Sequence, residues 1–333
     1  MARVSRCPAP TRARCESPVK SDLHSERVAV LMATYNGREY LEEQVESILR
    51  QTHRNLRLVA LDDCSTDGTY ELLCRLGNAD ERICVLRNSA NIGAVRTFER
   101  LLGEVSESFF CLADQDDVWC PFKLERQMKT LYESNAALVY SDIEVVDENL
   151  KLLASSMWRY AGTKPVDGTS VLPFIIRNPV SGCTMLGDAR HIPRCLPFPA
   201  EVAMHDCWLT LCLAHSGGVV FDRTPALKYR QHGNNATGVF ERGVVGLAAR
   251  IRRAGGGLGN YLRYRYSRRI GLARAFHARN PDPLIRSYLG HVDASFARRV
   301  RGVPAYAAFL ACHARALGYR AIFSEVLMNA LPR

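Results

Sequence analysis

Residues 110–119 have the sequence FCLADQDDVW, in which an apolar run ends abruptly in three carboxylates within four positions. Such a run predicts a buried β-strand whose carboxyl end opens into a polar site. Three acids this close repel one another, and a bound divalent cation would compensate them, because hard cations prefer carboxylate oxygens. A solvated acidic turn is the alternative, since Asp is a common turn residue. The stretch by itself leaves both interpretations open.

Upstream of this stretch, apolar runs alternate with segments of helical periodicity. Strands are predicted at 27–34, 56–61, 83–86 and 109–112, and helices at 39–51, 69–76 and 95–102. This alternation predicts parallel βαβ units in a doubly wound α/β sheet. Three of the four strands end in a turn that carries Asn or Asp, and ligands in such sheets bind outside the carboxyl ends of the strands. The acids therefore collect where a ligand belongs.

The pattern downstream is less regular. It predicts a fifth strand at 137–142, a loop entering a strand at 178–186, a helix at 202–214 and two short strands at 219–221 and 226–230.

Composition restricts the class of protein. The 333 residues are enough for one large or two modest domains, and no apolar run reaches the 18 residues of a transmembrane helix. The twelve cysteines show no CxxC pair and no zinc-type spacing, which favours a reduced, cytoplasmic protein. Residues 1–24 lack the apolar segment of a secretory signal and are expected to form a disordered leader.

The positive charge is concentrated at the C-terminal end. Residues 241–333 contain 17 Arg, no Lys and 4 acids, a net charge of +13 in a chain whose total is +10. Arg residues alternate with Tyr and Leu at 250–269, as in basic amphipathic helices that lie on the anionic inner leaflet of a membrane. A solvated helical face is the alternative, and no nucleic-acid motif accompanies the arginines.

Several familiar catalytic motifs are missing. The sequence has no GxxxxGK[ST] phosphate loop, no GxGxxG dinucleotide turn and no GxSxG nucleophile elbow. What remains is a set of acids at predicted strand ends.

Four motifs occur in a recognisable order: ATYN at 33–36, DDCSTDGT at 62–69, NIG at 91–93 and DQDD at 114–117. In order and rough spacing they resemble the family 2 nucleotide-sugar glycosyltransferases, over about residues 27–235. Three later motifs, GCTM at 182–185, HDCW at 205–208 and YRQHGNN at 229–235, look most like the rhamnosyltransferase-type branch. That branch uses dTDP-L-rhamnose to build bacterial surface polysaccharides.

The resemblance implies a GT-A type fold, a mixed, mainly parallel, Rossmann-like sheet flanked by helices, with an α-helical C-terminal extension. We therefore expect a leader at 1–24, a catalytic domain at 25–240 and a basic helical region at 241–333. The implied reaction is a metal-dependent, inverting transfer of L-rhamnose from dTDP-L-rhamnose to a saccharide or lipid-linked acceptor, with another UDP- or dTDP-sugar as the alternative. Mg²⁺ or Mn²⁺ is the implied cofactor, because the departing diphosphate needs its charge stabilised.

The resemblance also assigns roles to the acids. Asp206 is the implied general base, which takes the proton of the acceptor hydroxyl. Asp117 is the implied principal metal ligand, with Asp116 beside it contacting metal or ribose and Asp114 supporting both from behind. His232 is either a further ligand to metal or diphosphate, through neutral imidazole, or a structural residue.

A second group of residues is implied to bind the nucleotide. Asp63 would accept the N3–H of a pyrimidine, while Ala33 and Tyr35 line the base pocket, Tyr35 partly by stacking. Arg96 either reaches the base or phosphates or lies on a solvated helix face.

Three residues near the motifs keep two interpretations each. His205 either orients the acceptor and tunes Asp206 or is structural, and Trp119 and Trp208 either pack against a sugar or belong to the core.

Two features depart from the family pattern. Cys64 stands where the family often has Gly or Asn, which is acceptable if its backbone is not left-handed. The QxxRW motif of processive synthases is absent, which favours an enzyme that adds a single sugar.

Two other classes of function remain open at this stage. One is a catalytically silent protein that binds sugar nucleotides or nucleic acid through its basic tail, which would bind nucleic acid in a salt-sensitive way. The other is a metal-dependent phosphohydrolase that uses the same acids without a sugar acceptor.

Overall fold

The computed structural model describes residue 23 and residues 25–161, 164–233 and 258–298, the side chains of 258–265 and 295–298 excepted. Within these residues, nine strands form one sheet in the order β3-β2-β1-β4-β8-β6-β9-β5, and β7 pairs with β6 at its side. The strands are β1 (Val28–Thr34), β2 (Leu56–Asp62), β3 (Ile83–Arg87), β4 (Phe109–Ala113), β5 (Val118–Trp119), β6 (Leu138–Val146), β7 (Leu152–Ala154), β8 (Met185–Asp188) and β9 (Val219–Arg230). The predicted α/β class with flanking helices is confirmed.

The first four strands form the predicted parallel half of the sheet. In the register between β1 and β2, Thr34 lies opposite Asp62, and Met32 lies opposite Ala113 of β4. The carboxyl ends of three neighbouring strands therefore meet at one edge, which brings the polar loops that follow them together.

The second half of the sheet is mixed. β8 runs antiparallel to both β4 and β6, whereas β6 and β9 are parallel. The prediction of two short strands at 219–221 and 226–230 is wrong, because these residues form the single strand β9. The interruption that Pro225 suggests is absorbed by register shifts in the pairing with β6, at Ser141–Asp142 and Asp142–Glu144.

Helices cover both faces of the sheet. They are α1 (Arg38–Leu49), α2 (Thr69–Ala79), α3 (Ala94–Gly103), α4 (Lys123–Ser134), α5 (Met157–Ala161), α6 (Leu172–Ile176), α7 (Ile192–Cys195), α8 (His205–Ser216), α9 (Leu258–Arg279) and α10 (Pro283–Arg298). Helix α4 was not predicted: its apolar residues Leu124, Met128 and Leu131 form a narrow stripe in an otherwise polar segment.

The alternating residues of β1 show why the sheet is buried on both sides. Ala29 and Leu31 join one apolar cluster, and Val28, Val30 and Met32 join the other. Successive side chains of a strand point to opposite faces, so a continuous apolar run serves two cores.

Helix α9 contributes to the same core as the sheet. Tyr266, Ile270, Ala273 and Phe276 are buried in the cluster that contains Leu31. The described part of the basic C-terminal region is thus packed onto the preceding fold. The predicted boundary at 240 stays a prediction, since residues 234–257 lie outside the described residues.

Other predictions also fall outside the described residues. These are the leader at 1–24, apart from residue 23, and the arginines at 250–253. Within the described ranges, no helix is both long enough and apolar enough to cross a membrane.

Cys64 adopts the left-handed conformation, so the condition under which this departure from the family pattern would be acceptable is not met. Its φ is +64°, in the tight turn after β2. A side chain with a Cβ is strained in this region, by about 1–2 kcal/mol, whereas glycine is not. This departure from the family pattern is therefore costly to stability.

We predict that Cys64→Gly raises the free energy of unfolding by roughly 0.5–1 kcal/mol, because relief of strain exceeds the extra flexibility of glycine in the unfolded chain. Denaturant unfolding measures the change. Cys64→Ala is the matched control, since it removes the thiol but keeps the Cβ. Equal stability of the Gly and Ala variants would show that the turn is unstrained.

Candidate active site

The loops that follow β1 and β2 are held together by hydrogen bonds. The amide of Asn36 donates to the Ser65 hydroxyl and that of Gly37 to the Thr69 hydroxyl, each at 2.9 Å. The Ser65 hydroxyl in turn donates to Asp62 at 2.5 Å, and Asp62 is fully buried. Asp62 therefore shapes these loops and does not face a ligand.

Gln115 joins the acidic loop, residues 114–117, to the end of β1. Its side chain accepts from the Tyr35 amide at 2.9 Å and donates to the Tyr35 carbonyl at 3.1 Å. Gly37 makes this possible, because a Cβ at that position would lie 2.1 Å from the Gln115 side chain. From the other side, Gln44 donates to the Asp114 carbonyl at 2.8 Å. The acidic loop is thus fixed at both ends of its first turn.

Asp63 organises the NIG loop at 91–93. Its Oδ1 accepts from Asn88 Nδ2 at 2.7 Å and from the Ile92 amide at 2.9 Å, and its Oδ2 accepts from the Gly93 amide at 2.8 Å. A carboxylate oxygen can accept two hydrogen bonds, so Oδ2 has capacity for one further donor. The pairing with a pyrimidine N3–H stays a prediction.

The other residues predicted to bind the nucleotide, Ala33, Tyr35 and Arg96, lie in two different places. Tyr35 is 48% exposed and Ala33 half-buried beside it at the end of β1. Arg96 lies farther along, on α3, where its guanidinium contacts Glu99 and the Phe198 carbonyl. Arg96 already has these partners, so reaching a nucleotide would require it to exchange them.

Asp114 and Asp117 lie together behind the loop. Ligand atoms of these two acids and of Cys183 all lie within 4.8 Å of one another. Asp117 is fully buried, and its Oδ2 has no hydrogen-bond partner among the described residues, while its Oδ1 accepts from the Arg230 amide at 3.4 Å. Burial and the neighbouring acids raise the pKa of Asp114 to about 7 and hold the pKa of Asp117 well above its usual range.

Asp116 turns the other way, toward His232. The His232 Nε2 lies 2.8 Å from Asp116 Oδ2, and the side chains are 9% and 15% exposed. The His232 ring also packs against Tyr40 at 4.8 Å between centroids. The structure thus brings together the two residues that the sequence placed 116 positions apart, on the side of the loop that solvent reaches.

Arg230, at the end of β9, holds the acidic loop in place. Its guanidinium donates to the carbonyls of Asp116 at 3.0 Å and Glu148 at 2.6 Å and pairs with the Glu43 carboxylate. It also lies 4.5 Å from the Tyr40 ring centroid, in cation–π geometry. This side chain is almost completely buried, so its contacts are made away from competing water.

Asp206 lies in the first turn of α8. Its Oδ1 accepts from the Cys207 amide at 2.6 Å, and the residue lines a cavity of about 300 Å³ together with Trp158, Ser181 and Tyr229. The charge of Asp206 contributes to the raised pKa of Asp114, which places the two carboxylates near each other. The predicted base therefore lies beside the acidic loop and faces an open cavity.

His205, Trp119 and Trp208 are buried. The sequence left each of them with either a role at the sugar or acceptor or a structural role. His205 is stacked on Phe98 at 4.0 Å between ring centroids, and burial lowers its pKa, so the ring is neutral. Trp208 is fully buried and donates to the Cys195 carbonyl at 2.7 Å, and Trp119 is 3% exposed. All three side chains belong to the packing of the fold.

Four side chains that build the site were given no role from the sequence: Gln44, Gln115, Cys183 and Arg230. Cys183 and Arg230 stand inside quoted motifs, and Gln115 stands inside the DQDD motif itself. Membership of a motif was the one sequence signal that could have pointed to Gln115, Cys183 and Arg230. Their contacts could not be predicted, because the partners lie far away in sequence.

Residues 29–186 match the family model described as Glycosyl transferase family 2. The match covers both the parallel half of the sheet and the acidic loop.

Curated relatives share parts of the chain. A putative teichuronic acid biosynthesis glycosyltransferase of Bacillus subtilis is 33% identical over 122 residues, 37% of this chain and 48% of its own length. The Escherichia coli UDP-Glc:alpha-D-GlcNAc-diphosphoundecaprenol beta-1,3-glucosyltransferase WfgD is 30% identical over 37% of this chain and 47% of its own length. A dTDP-rhamnosyl transferase, RfbG of Shigella flexneri, is 28% identical over 62% of this chain and 73% of its own length. The chain thus spans about half the length of the first two relatives.

Among solved structures, the fold is similar to that of the mannosyltransferase PcManGT of Pyrobaculum calidifontis in complex with GDP-Man and Mn²⁺. The TM-score is 0.53 at 17% sequence identity, and the similarity covers 92% of this chain and 84% of that one. The expected GT-A-like fold, with C-terminal helices after the mixed sheet, is confirmed.

We predict that stability falls as pH rises through the titration of Asp114. Its folded pKa of about 7 lies above the ordinary value of 3.8, so between these pH values the folded protein holds a proton that the unfolded chain releases. In the metal-free protein, Asp114→Asn should flatten the fall in Tm between about pH 5 and pH 8, as measured by differential scanning fluorimetry in EDTA.

Asp293→Asn, which removes an exposed carboxylate on α10, is the control for this measurement and should leave the wild-type pH profile unchanged. A profile for Asp114→Asn as steep as that of the wild type would contradict the prediction.

Proposed function

We propose that the protein is a metal-dependent, inverting glycosyltransferase that moves a sugar from a nucleotide donor to a saccharide or lipid-linked acceptor in bacterial surface polysaccharide biosynthesis. The observation that carries the proposal is the convergence of three elements at one edge of the sheet. These are the β1 and β2 loops, the acidic loop with His232, and Asp206 at the mouth of a cavity.

The loops after β1 and β2 are proposed to hold the nucleotide. Tyr35 offers an exposed ring at the rim, and Asp63 offers the remaining acceptor capacity of Oδ2 below it. Because that oxygen accepts a hydrogen bond, it favours a base with an N–H at this edge, such as uracil or thymine.

The donor atoms near the acidic loop suit Mg²⁺ or Mn²⁺. The buried, unpartnered Oδ2 of Asp117 and the raised pKa of Asp114 both indicate carboxylates that lack a compensating charge. The resemblance made Asp117 the principal metal ligand, but its complete burial favours Asp116 and His232 as the residues that hold a metal ion in contact with the diphosphate. Asp117 and Asp114 then lie behind them. A bound divalent cation would stabilise the charge of the departing diphosphate as a Lewis acid.

Asp206 is proposed to take the proton from the acceptor hydroxyl as that oxygen attacks the anomeric carbon. A single displacement with a single base inverts the anomeric centre, so a β-linked donor gives an α-linked product. Trp158 and Tyr229 in the same cavity provide aromatic surface against which an acceptor sugar can pack.

The relatives support a choice of substrates. RfbG of Shigella flexneri is a dTDP-rhamnosyl transferase, which supports dTDP-L-rhamnose as the donor. WfgD transfers glucose to a GlcNAc-diphosphoundecaprenol acceptor, which supports a lipid-linked acceptor. The family branch that the later motifs resemble points to the same donor.

We predict a metal-dependent rise in Tm with dTDP-L-rhamnose that is larger than with UDP-glucose, UDP-GlcNAc or GDP-mannose, because a ligand that binds only the folded state stabilises it. A panel of these donors with and without Mn²⁺, followed by scanning fluorimetry, measures it. Equal shifts across the panel would remove the rhamnose assignment, and no shift with any donor would remove the proposed function.

In the same assay, we expect Asp116→Asn to lose the Mn²⁺-dependent part of the shift, because its carboxylate is proposed to hold the metal ion that binds the diphosphate. Asp117→Asn tests the alternative order of ligands. If Asp117→Asn abolishes the metal dependence and Asp116→Asn preserves it, Asp117 is the principal ligand as the sequence analysis predicted. Asp293→Asn controls for the loss of one negative charge.

We predict that Asp206→Asn lowers sugar transfer by about 10²- to 10⁴-fold, the usual contribution of a general base, and leaves the donor-induced Tm shift near that of the wild type. The amide oxygen can still accept from the Cys207 amide, so the start of α8 should be preserved. Turnover close to that of the wild type would refute the assignment. Phosphate release by the wild type without any acceptor would instead favour a phosphohydrolase.

A further inference from the structure

A second cavity adjoins the one that Asp206 faces. It has a volume of about 350 Å³ and lies between α6, the loop before α8 and helix α9. Arg177 and Asn178 line both cavities. Asp206 lines the first and its neighbour Cys207 lines the second, so the two cavities meet at the start of α8.

The lining of this second cavity is amphiphilic. Its polar lining residues include three arginines, Arg177, Arg268 and Arg269, and one acid, Glu201. Its apolar part is formed by side chains from α6, the loop before α8 and α9: Phe174, Ile175, Ile176, Met204 and Leu272. Met204 is 38% exposed, so this large apolar side chain is accessible to an occupant of the cavity.

This combination restricts the chemistry of an occupant. Guanidinium groups are the preferred partners of phosphate oxygens, because they donate paired hydrogen bonds and stay charged. Neighbouring apolar side chains add affinity for a hydrocarbon chain attached to that phosphate. A neutral saccharide has neither the negative charge nor the hydrocarbon chain that would use both features together.

We propose that this cavity binds the diphosphate and the first isoprene units of a lipid-linked acceptor, with Arg268 and Arg269 of α9 as the anion-binding residues. The inference rests on the proposed function and adds the anchoring site of the acceptor. The cavity's continuity with that of Asp206 places the sugar attached to such a diphosphate toward the proposed base.

The location also separates this anion from that of the donor. The donor diphosphate is assigned to Asp116 and His232, whereas Arg268 and Arg269 lie on a helix that packs on α6 and α8. The basic helix α9 therefore has a defined ligand in this proposal and needs no general attraction to a membrane surface.

The test is equilibrium binding of three probes, geranyl diphosphate, inorganic pyrophosphate and geraniol, by isothermal titration calorimetry. EDTA removes the metal ion through which the proposed donor site would hold a diphosphate. The wild type should bind geranyl diphosphate more tightly than either of the other probes. Arg268→Gln/Arg269→Gln should weaken geranyl diphosphate binding by about 10-fold or more, as expected for lost charged hydrogen bonds.

Arg286→Gln is the matched control, since it removes the same charge from an exposed position on α10. It should bind geranyl diphosphate as the wild type does. If the double variant does not fold, Arg268→Gln alone serves as the test, because Arg268 is exposed and its replacement leaves the core intact.

Wild-type affinity of the folded variant for geranyl diphosphate would overturn the proposal, as would equal binding of geraniol. Equal wild-type affinity for pyrophosphate and geranyl diphosphate would overturn the prenyl part and reduce the site to one for free phosphates. The assay needs neither nucleotide sugar nor transfer, so failure of the proposed function would appear separately, as the absence of a donor-induced Tm shift.

Discussion

The buried guanidinium of Arg230 is the contact on which the site depends. It donates to the backbone carbonyls of Asp116 and Glu148 and pairs with Glu43, so one side chain ties the end of β9 to the acidic loop and to α1. Burial makes these hydrogen bonds strong, and it also makes them costly to lose, because an unpaired buried charge is destabilising. The loop that carries the three acids keeps its shape because the guanidinium of Arg230, which is distant from it in sequence, lies against it.

While Arg230 holds the loop in place, the three acids of the loop face in different directions. Asp117 points into the interior beside Cys183, Asp114 lies next to it with a raised pKa, and Asp116 turns outward to His232. Carboxylates packed this closely stay partly protonated in the absence of a cation. This repulsion between carboxylates costs stability in the absence of a cation, and it supports the divalent-ion site proposed above.

The sequence predicted the parallel half of the fold closely, because β1 to β4 are continuous apolar runs and α1 to α3 have regular periodicity. It failed for β9, where Pro225 suggested a break that register shifts with β6 absorb. It missed α4, whose polar composition conceals a buried stripe that includes Lys123. In these places packing against distant segments outweighs local pattern, and no local pattern records such packing.

The candidate site shows the same division. The sequence by itself determined which acids stand at strand ends, because apolar runs and polar turns are local features, and its ordered motifs carry the resemblance to the family 2 glycosyltransferases. Only the tertiary structure decided which way each acid faces. It buried Asp117, paired Asp116 with His232 across 116 positions and placed arginines of α9 beside the cavity next to Asp206. Orientation and pairing depend on contacts between segments far apart in the chain, and these exist only once the sheet and its helices have closed around the site.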